Sequence, residues 1–197
     1  MSADGPDPHK PVVGVLVLGM RRSGSSMVSR LLHQAGLEGP GKKSSIPPDH
    51  PEVLLHSKAI QDFNDSLLAR SNMSWNSILG NTSELDFSEA DIEEAKSIIR
   101  EQFTLQATFF ISDPRICLLL KFWVEVFRRL DVDLKILRIV RSPNSVADSI
   151  ERHFEMSRDK AVALWVKYNL QLEKSTKALD CTTIGYDAFL QSNGAAV

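Results

Sequence analysis

Two arginines and three serines lie within Gly19-Met20-Arg21-Arg22-Ser23-Gly24-Ser25-Ser26, between an apolar run and an amphipathic one. Side chains of these types grip oxyanions, the guanidinium as a rigid fork and the hydroxyl as a single donor. If a strand ends before the run and a helix begins at its close, backbone N–H groups and the helix dipole add a further preference for negative charge. The two glycines follow the spacing G-x-x-x-x-G-K-[ST] of a Walker A loop, except that Ser25 stands where Lys belongs. A nucleotide triphosphatase sets that Lys on the β- and γ-phosphates and the next Ser or Thr on magnesium. Here the positive charge comes earlier, at Arg21 and Arg22, which suits a phosphate-like group without the usual metal arrangement. The bland alternative is a strand-to-helix turn carrying two surface arginines.

The flanking segments must position this loop. Val12–Leu18 is apolar except for Gly14 and reads as a buried parallel strand, within a strand predicted over 11–19. The helix after it is predicted over 25–37, with Met27, Val28, Leu31, Leu32 and Ala35 on one stripe and Gly36 as C-cap. Further strands are predicted at 107–112, 134–140 and 182–186. Helices are predicted at 51–70, 88–106, 116–130, 142–154 and 157–179, with Ser88 and Ser142 as N-caps and His56 on or near the apolar stripe of the helix over 51–70. Strands alternating with helices predict one α/β domain over 11–197, three-layered and P-loop-like, with a mostly parallel sheet. Residues 1–10 are polar and read as a disordered lead-in. Stretches 39–51 and 72–87 read as loops, the first a lid or a surface connection, the second with Trp75 and Phe87 as aromatic anchors.

In such folds ligands bind at the carboxyl ends of the strands. Those ends are Arg21-Arg22, Asp113-Pro114-Arg115, Arg141-Ser142 and Tyr186-Asp187, so the rim is basic although the chain's net charge is only −2. That charge balance argues against a general nucleic-acid binder. No stretch approaches the roughly 18 apolar residues of a membrane span, and MSADGPDPHK lacks the pattern of a signal peptide, so a cytoplasmic protein is expected. Cys117 and Cys181 read as buried free thiols rather than a disulfide.

Three segments together resemble the sulfotransferases that use 3′-phosphoadenosine 5′-phosphosulfate. GMRRSGSS is similar to that family's 5′-phosphosulfate loop. RSPNSVADS (141–149) places an Arg at a strand end and a Ser eight residues on, as in the family's 3′-phosphate motif. Tyr186-Asp187 in IGYDAFL resembles a Tyr-acidic-x-Leu segment. SDPRICLLLKFW and FNDSLL resemble a bacterial-type branch, with Ser112 at a position that branch often fills with Lys.

The resemblance implies transfer of a sulfuryl group to a hydroxyl on a carbohydrate or small molecule, releasing adenosine 3′,5′-bisphosphate, with no metal. It assigns Arg22, Ser23, Gly24, Ser25 and Ser26 to the 5′-phosphosulfate, Arg141 and Ser149 to the 3′-phosphate, and Arg21 and Tyr186 to the same cofactor set. Arg22 would also stabilise charge developing on the leaving oxygen. A hydroxyl nucleophile needs a general base. Aligned through Pro51 and Asn64-Asp65, His56 replaces a Glu of the related branch, and imidazole can act as a base near neutral pH. Asp113 is the other candidate base, unless it pairs with Arg115 or caps the following helix. His33 and His153 read as exposed helix residues. Two readings compete with this one: a P-loop nucleotide kinase or phosphohydrolase with Asp113 on a Walker B strand, and a non-catalytic nucleotide-binding relative. Neither the acceptor nor the oligomeric state is legible at this level.

Overall fold

The alternation of side chains along each strand sorts the hydrophobic core into two halves. In the computed structural model, which describes residues 11–41, 55–80 and 85–191, Leu16, Leu18, Phe109, Ile111 and Ile136 enter one cluster and Val15, Val17, Phe110 and Ile139 another. A period of two sends neighbouring residues to opposite faces of a sheet, so a strand apolar at every position must be covered on both sides. Helices supply both covers, giving the three layers expected.

The elements in chain order are β1 (Val12–Leu18), α1 (Ser25–Gln34), α2 (Lys58–Ala69), α3 (Glu89–Gln102), β2 (Phe109–Ser112) and α4 (Ile116–Arg129). There follow β3 (Val132–Val140), α5 (Pro143–His153), α6 (Arg158–Thr176), β4 (Cys181–Gly185) and α7 (Tyr186–Gln191). The four strands are parallel throughout, in the order β2-β1-β3-β4. The chain leaves β1 to build β2 on one side and then returns to build β3 on the other. The loops after β1 and β3 therefore flank a topological switch point, where open parallel sheets form ligand crevices.

Val28 of α1 joins the cluster with Val15 and Val17, while residues of α2 to α6 fill the other. Trp123 anchors the larger core: it is fully buried, and its indole N–H donates to Asn64 Oδ1 at 2.9 Å. This joins α4 to α2, which fixes where the chain before α2 can lie.

Several helix ends follow their local chemistry. Ser88 and Asp91 form a reciprocal capping box at α3. At the end of α1, Gly36 takes φ +95°, its N–H donates to His33 O and that of Leu37 to Leu32 O, a Schellman closure. Other boundaries move. Helix α1 stops at Gln34, α3 stops at Gln102 and β3 begins at Val132. Ser142 makes no side-chain cap; Pro143 opens α5, and the Ser142 N–H donates instead to Asp187 Oδ2 at 3.1 Å. Tyr186 begins α7 rather than ending β4. Both cysteines are free thiols; Cys117 is buried, with burial pushing its pKa up to about 12, but Cys181 is only half-buried.

The lead-in 1–10, most of the loop over 39–51 and Val53 lie outside the described residues, as does 81–84 within the loop over 72–87. No helix among the described residues is long and apolar enough to cross a membrane.

Candidate active site

Buried β1 delivers the chain into a loop whose backbone is bent twice into the left-handed region, at Arg22 (φ +72°) and Gly24 (φ +101°). Such alternation turns successive N–H groups toward one concavity. The loop is held from inside: Ser23 is 1% exposed and its N–H donates to Met20 O at 3.1 Å. The Gly24 carbonyl accepts from the N–H groups of Met27 and Val28 and so starts α1. Gly24 is required twice over. A Cβ there would stand 2.2 Å from Tyr186 Cδ2, and its φ disfavours any L side chain. Gly24→Ala is expected to cost about 2 kcal/mol or more, which lowers the thermal midpoint of a chain this size by about 4–8 °C. Differential scanning calorimetry measures it.

Around this loop the structure gathers most of the candidate residues. Arg22 Nε donates to Ser149 Oγ at 2.9 Å, and Arg22 Nη2 lies 3.4 Å from His153 Nε2. His153 Nδ1 lies 2.8 Å from the Ser149 carbonyl, which can only accept, so His153 offers a bare Nε2 to Arg22. His153 is exposed, as its sequence suggested, but it braces Arg22. Arg141 Nη1 donates to the Arg22 carbonyl at 3.0 Å, supporting the left-handed residue. The Arg141 guanidinium lies 4.7 Å from the centre of the Tyr186 ring, and its buried Nε has no hydrogen-bond partner among the described residues. Arg22, Gly24, Ser25, Ser26, Arg141 and Tyr186 line a cavity of about 230 Å³.

A second cavity, of about 200 Å³, opens on the other side of Arg22, Ser25 and Ser26, which line both. It contains His56. The expected place of His56 on a helical stripe is corrected: α2 begins at Lys58 with Ser57 as its N-cap, and His56 lies just before that cap, outside the helix. Its Nδ1 is 3.2 Å from the Ser112 carbonyl at the end of β2, and its Nε2 is 3.4 Å from Ser26 Oγ. Because a carbonyl cannot donate, Nδ1 carries the proton and Nε2 presents a lone pair at the phosphate-type loop.

Asp113 lines neither cavity. It is 1% exposed, its Oδ1 accepts the Arg115 N–H at 2.7 Å and its Oδ2 accepts Arg115 Nη1 at 3.1 Å. Burial raises its pKa, opposed by the charge of Arg115. Arg115 also binds Asp65 through Nε, and it lines the His56 cavity.

Arg21 is separated from Arg141: it lines the His56 cavity, not the one with Tyr186. Its guanidinium lies 4.7 Å from the Trp75 ring centre and 5.9 Å from that of Phe154. Trp75 is held in turn by α6, where the fully buried Tyr168 hydroxyl donates to the Trp75 carbonyl at 2.8 Å and Lys167 Nζ to the Ser77 carbonyl at 2.8 Å. Arg115, His153, Trp75 and Phe154 were not among the sequence candidates. Only the basic strand-end pattern pointed to Arg115, and nothing in the sequence pairs Trp75 with Phe154. Among the described residues, no three His, Cys, Asp or Glu side chains gather as a metal site.

No protein-family model matches the chain. No curated protein matches it either. Its fold has solved counterparts. A sulfotransferase domain from the curacin biosynthetic pathway aligns with 94% of this chain and 70% of its own length, at TM-score 0.54 and 16% identity. A sulfotransferase domain from the Synechococcus PCC 7002 olefin synthase aligns over 96% and 72%, at TM-score 0.49 and 15% identity. The α/β architecture of this chain is the P-loop-like fold it shares with the curacin-pathway sulfotransferase domain.

Proposed function

We propose that the chain is a sulfotransferase that moves a sulfuryl group from 3′-phosphoadenosine 5′-phosphosulfate to the hydroxyl of a carbohydrate or small molecule. The observation that carries this reading is the junction of the two cavities. Arg22, Ser25 and Ser26 face both, and the bare Nε2 of His56 stands 3.4 Å from Ser26 Oγ at their meeting point. Transfer between two ligands requires their reacting ends to meet at one place, and a base must stand there.

The residues present fit the donor. Arg141 brings its guanidinium to the cavity wall beside Tyr186, and the left-handed turn at Arg22 and Gly24 opens a backbone cradle. Arg141 and Ser149 would hold the 3′-phosphate, and Arg22, Ser25, Ser26 and the loop N–H groups the 5′ end. When bound, the donor supplies an activated sulfuryl group on a phosphate leaving group. Arg22 holds negative charge at the loop, steadied by Ser149 and His153. His56 Nε2 takes the acceptor's hydroxyl proton while Nδ1–H stays on the Ser112 carbonyl. Asp113 positions Arg115 rather than acting as a base, since it is buried and lines neither cavity.

The test is thermal stabilisation by adenosine 3′,5′-bisphosphate, 5′-AMP and ATP, each with and without magnesium. Bisphosphate at about 100 times its Kd should add about 2.7 kcal/mol, regardless of magnesium. Arg141→Ala should weaken that binding by about 30-fold, the equivalent of losing charge-assisted hydrogen bonds of about 2 kcal/mol. A shift with ATP and magnesium alone would instead favour a kinase or phosphohydrolase.

A further inference from the structure

Arg21 was expected in the cofactor set, but it lines the cavity of His56 and not that of Arg141 and Tyr186, which leaves it without a task in the scheme above. We infer, building on the sulfotransferase reading, that the acceptor bears an anionic group, a carboxylate or a phosphate or sulfate ester, which Arg21 binds in the His56 cavity.

The Arg21 guanidinium carbon lies over the Trp75 and Phe154 rings, and its buried Nε has no hydrogen-bond partner among the described residues. The two nearby carboxylates are already committed, since Asp65 and Asp113 both bind Arg115. Burial lowers the Arg21 pKa, and the charge of Arg115 lowers it further. Arg21 lines this cavity, where an oxyanion would gain a charge-assisted bond from its guanidinium. Stacking occupies the flat face of a guanidinium and leaves its in-plane N–H groups free, the geometry that matches a planar or tetrahedral oxyanion.

The location selects the acceptor rather than the donor. Arg21 shares its cavity with His56, Gln61, Pro114, Arg115 and Phe154, whereas Arg141 and Tyr186 belong to the other. The cavity's volume of about 200 Å³ lies below the roughly 300–1,000 Å³ of sites that enclose a drug-sized ligand. The hydroxyl at His56 and the anion at Arg21 must therefore sit close together on one molecule. The shelf that holds Arg21 is itself tethered, by Tyr168 and Lys167 of α6.

Calorimetric titration of matched acceptors into protein saturated with adenosine 3′,5′-bisphosphate tests this. Glucuronate and glucose 6-phosphate are compared with glucose, and 4-hydroxyphenylacetate with its amide. At least one anion should bind 10-fold or more tightly than its neutral partner, and the pair that responds tells carboxylate from phosphate ester. Arg21→Gln should remove that preference, and Arg21→Lys should keep part of it, with bisphosphate affinity within about twofold in both. Calorimetric unfolding of each variant separates lost recognition from lost folding. Equal binding within every pair, or a preference that survives in Arg21→Gln, overturns the anionic acceptor alone. Failure of bisphosphate to bind, measured before any acceptor is added, overturns the donor reading beneath it.

Discussion

His56→Ala is expected to slow sulfuryl transfer by about 10²–10⁴-fold, the range general-base catalysis supplies, while bisphosphate affinity changes by less than about twofold. Both halves follow from where the ring sits. Nδ1–H is anchored on a backbone carbonyl at the end of β2, so the ring is fixed by the sheet itself rather than by a side chain that could drift. Nε2 faces Ser26 from the cavity opposite Arg141. Removing the imidazole thus leaves the donor's contacts in place and removes the proton acceptor. Single-turnover measurement of sulfated product, beside calorimetric titration of the bisphosphate, separates the two quantities. An unchanged rate would transfer the base to another group, and a parallel loss of bisphosphate affinity would make His56 a binding residue.

The second large effect is on stability. Trp123→Ala should cost about 3–5 kcal/mol, as expected for emptying a fully packed aromatic site, and should lower the thermal midpoint by about 6–20 °C. The indole packs against Phe63, Phe122 and Phe127, with ring centres 6.2, 5.6 and 6.0 Å away. Truncation also strands Asn64, which is fully buried and whose Oδ1 accepts the indole N–H. Trp123→Phe separates the two contributions: it restores most of the volume but still leaves Asn64 unpaired, at a cost of about 1–3 kcal/mol. Asp65, the next residue, binds Arg115, so the disturbance reaches the wall of the His56 cavity. Urea unfolding of both variants measures the difference. Equal losses would mean the hydrogen bond, rather than the packing, dominates.

What could be read beforehand was whatever is written locally. The strand, the glycine turn and the helix from Val12 to Gln34 announce themselves by period and punctuation, and the same holds for the Ser88–Asp91 box. Strands alternating with helices were enough to predict a parallel sheet with its ligand edge at the strand ends. His56 was misread because its spacing from Ile60 imitates a helical stripe, while the actual helix waits for Ser57 to cap it. Tyr186 was assigned to a strand because its neighbours are β-like, yet α7 begins there and turns its ring onto Gly24. The resemblance gave Arg22 the larger role, but nothing in the sequence told that Arg21, adjacent and chemically alike, would face a different cavity. The left-handed turn sends one toward Ser149 and the other onto Trp75. That divergence, like the shelf made by Trp75 and Phe154, depends on segments far apart in the chain. No local rule encodes such a meeting.

The central position of β1 has a consequence for how the chain is made. Its neighbours are β2 and β3, and Val12 pairs with Val132. With about 120 residues between these partners and synthesis at about 5–20 residues per second, β1 waits on the order of 6–24 s for its second neighbour. During that interval the most apolar strand of the sheet is a newborn, unpaired edge, the kind of segment that chaperones shield and that aggregates form from. Parallel pairing over such a separation is also slow, since the long intervening loop must close before any contact rewards it. The same placement that sets the glycine loop at the heart of the sheet leaves its supporting strand, the first to be made, without neighbours on both sides until β3 has emerged.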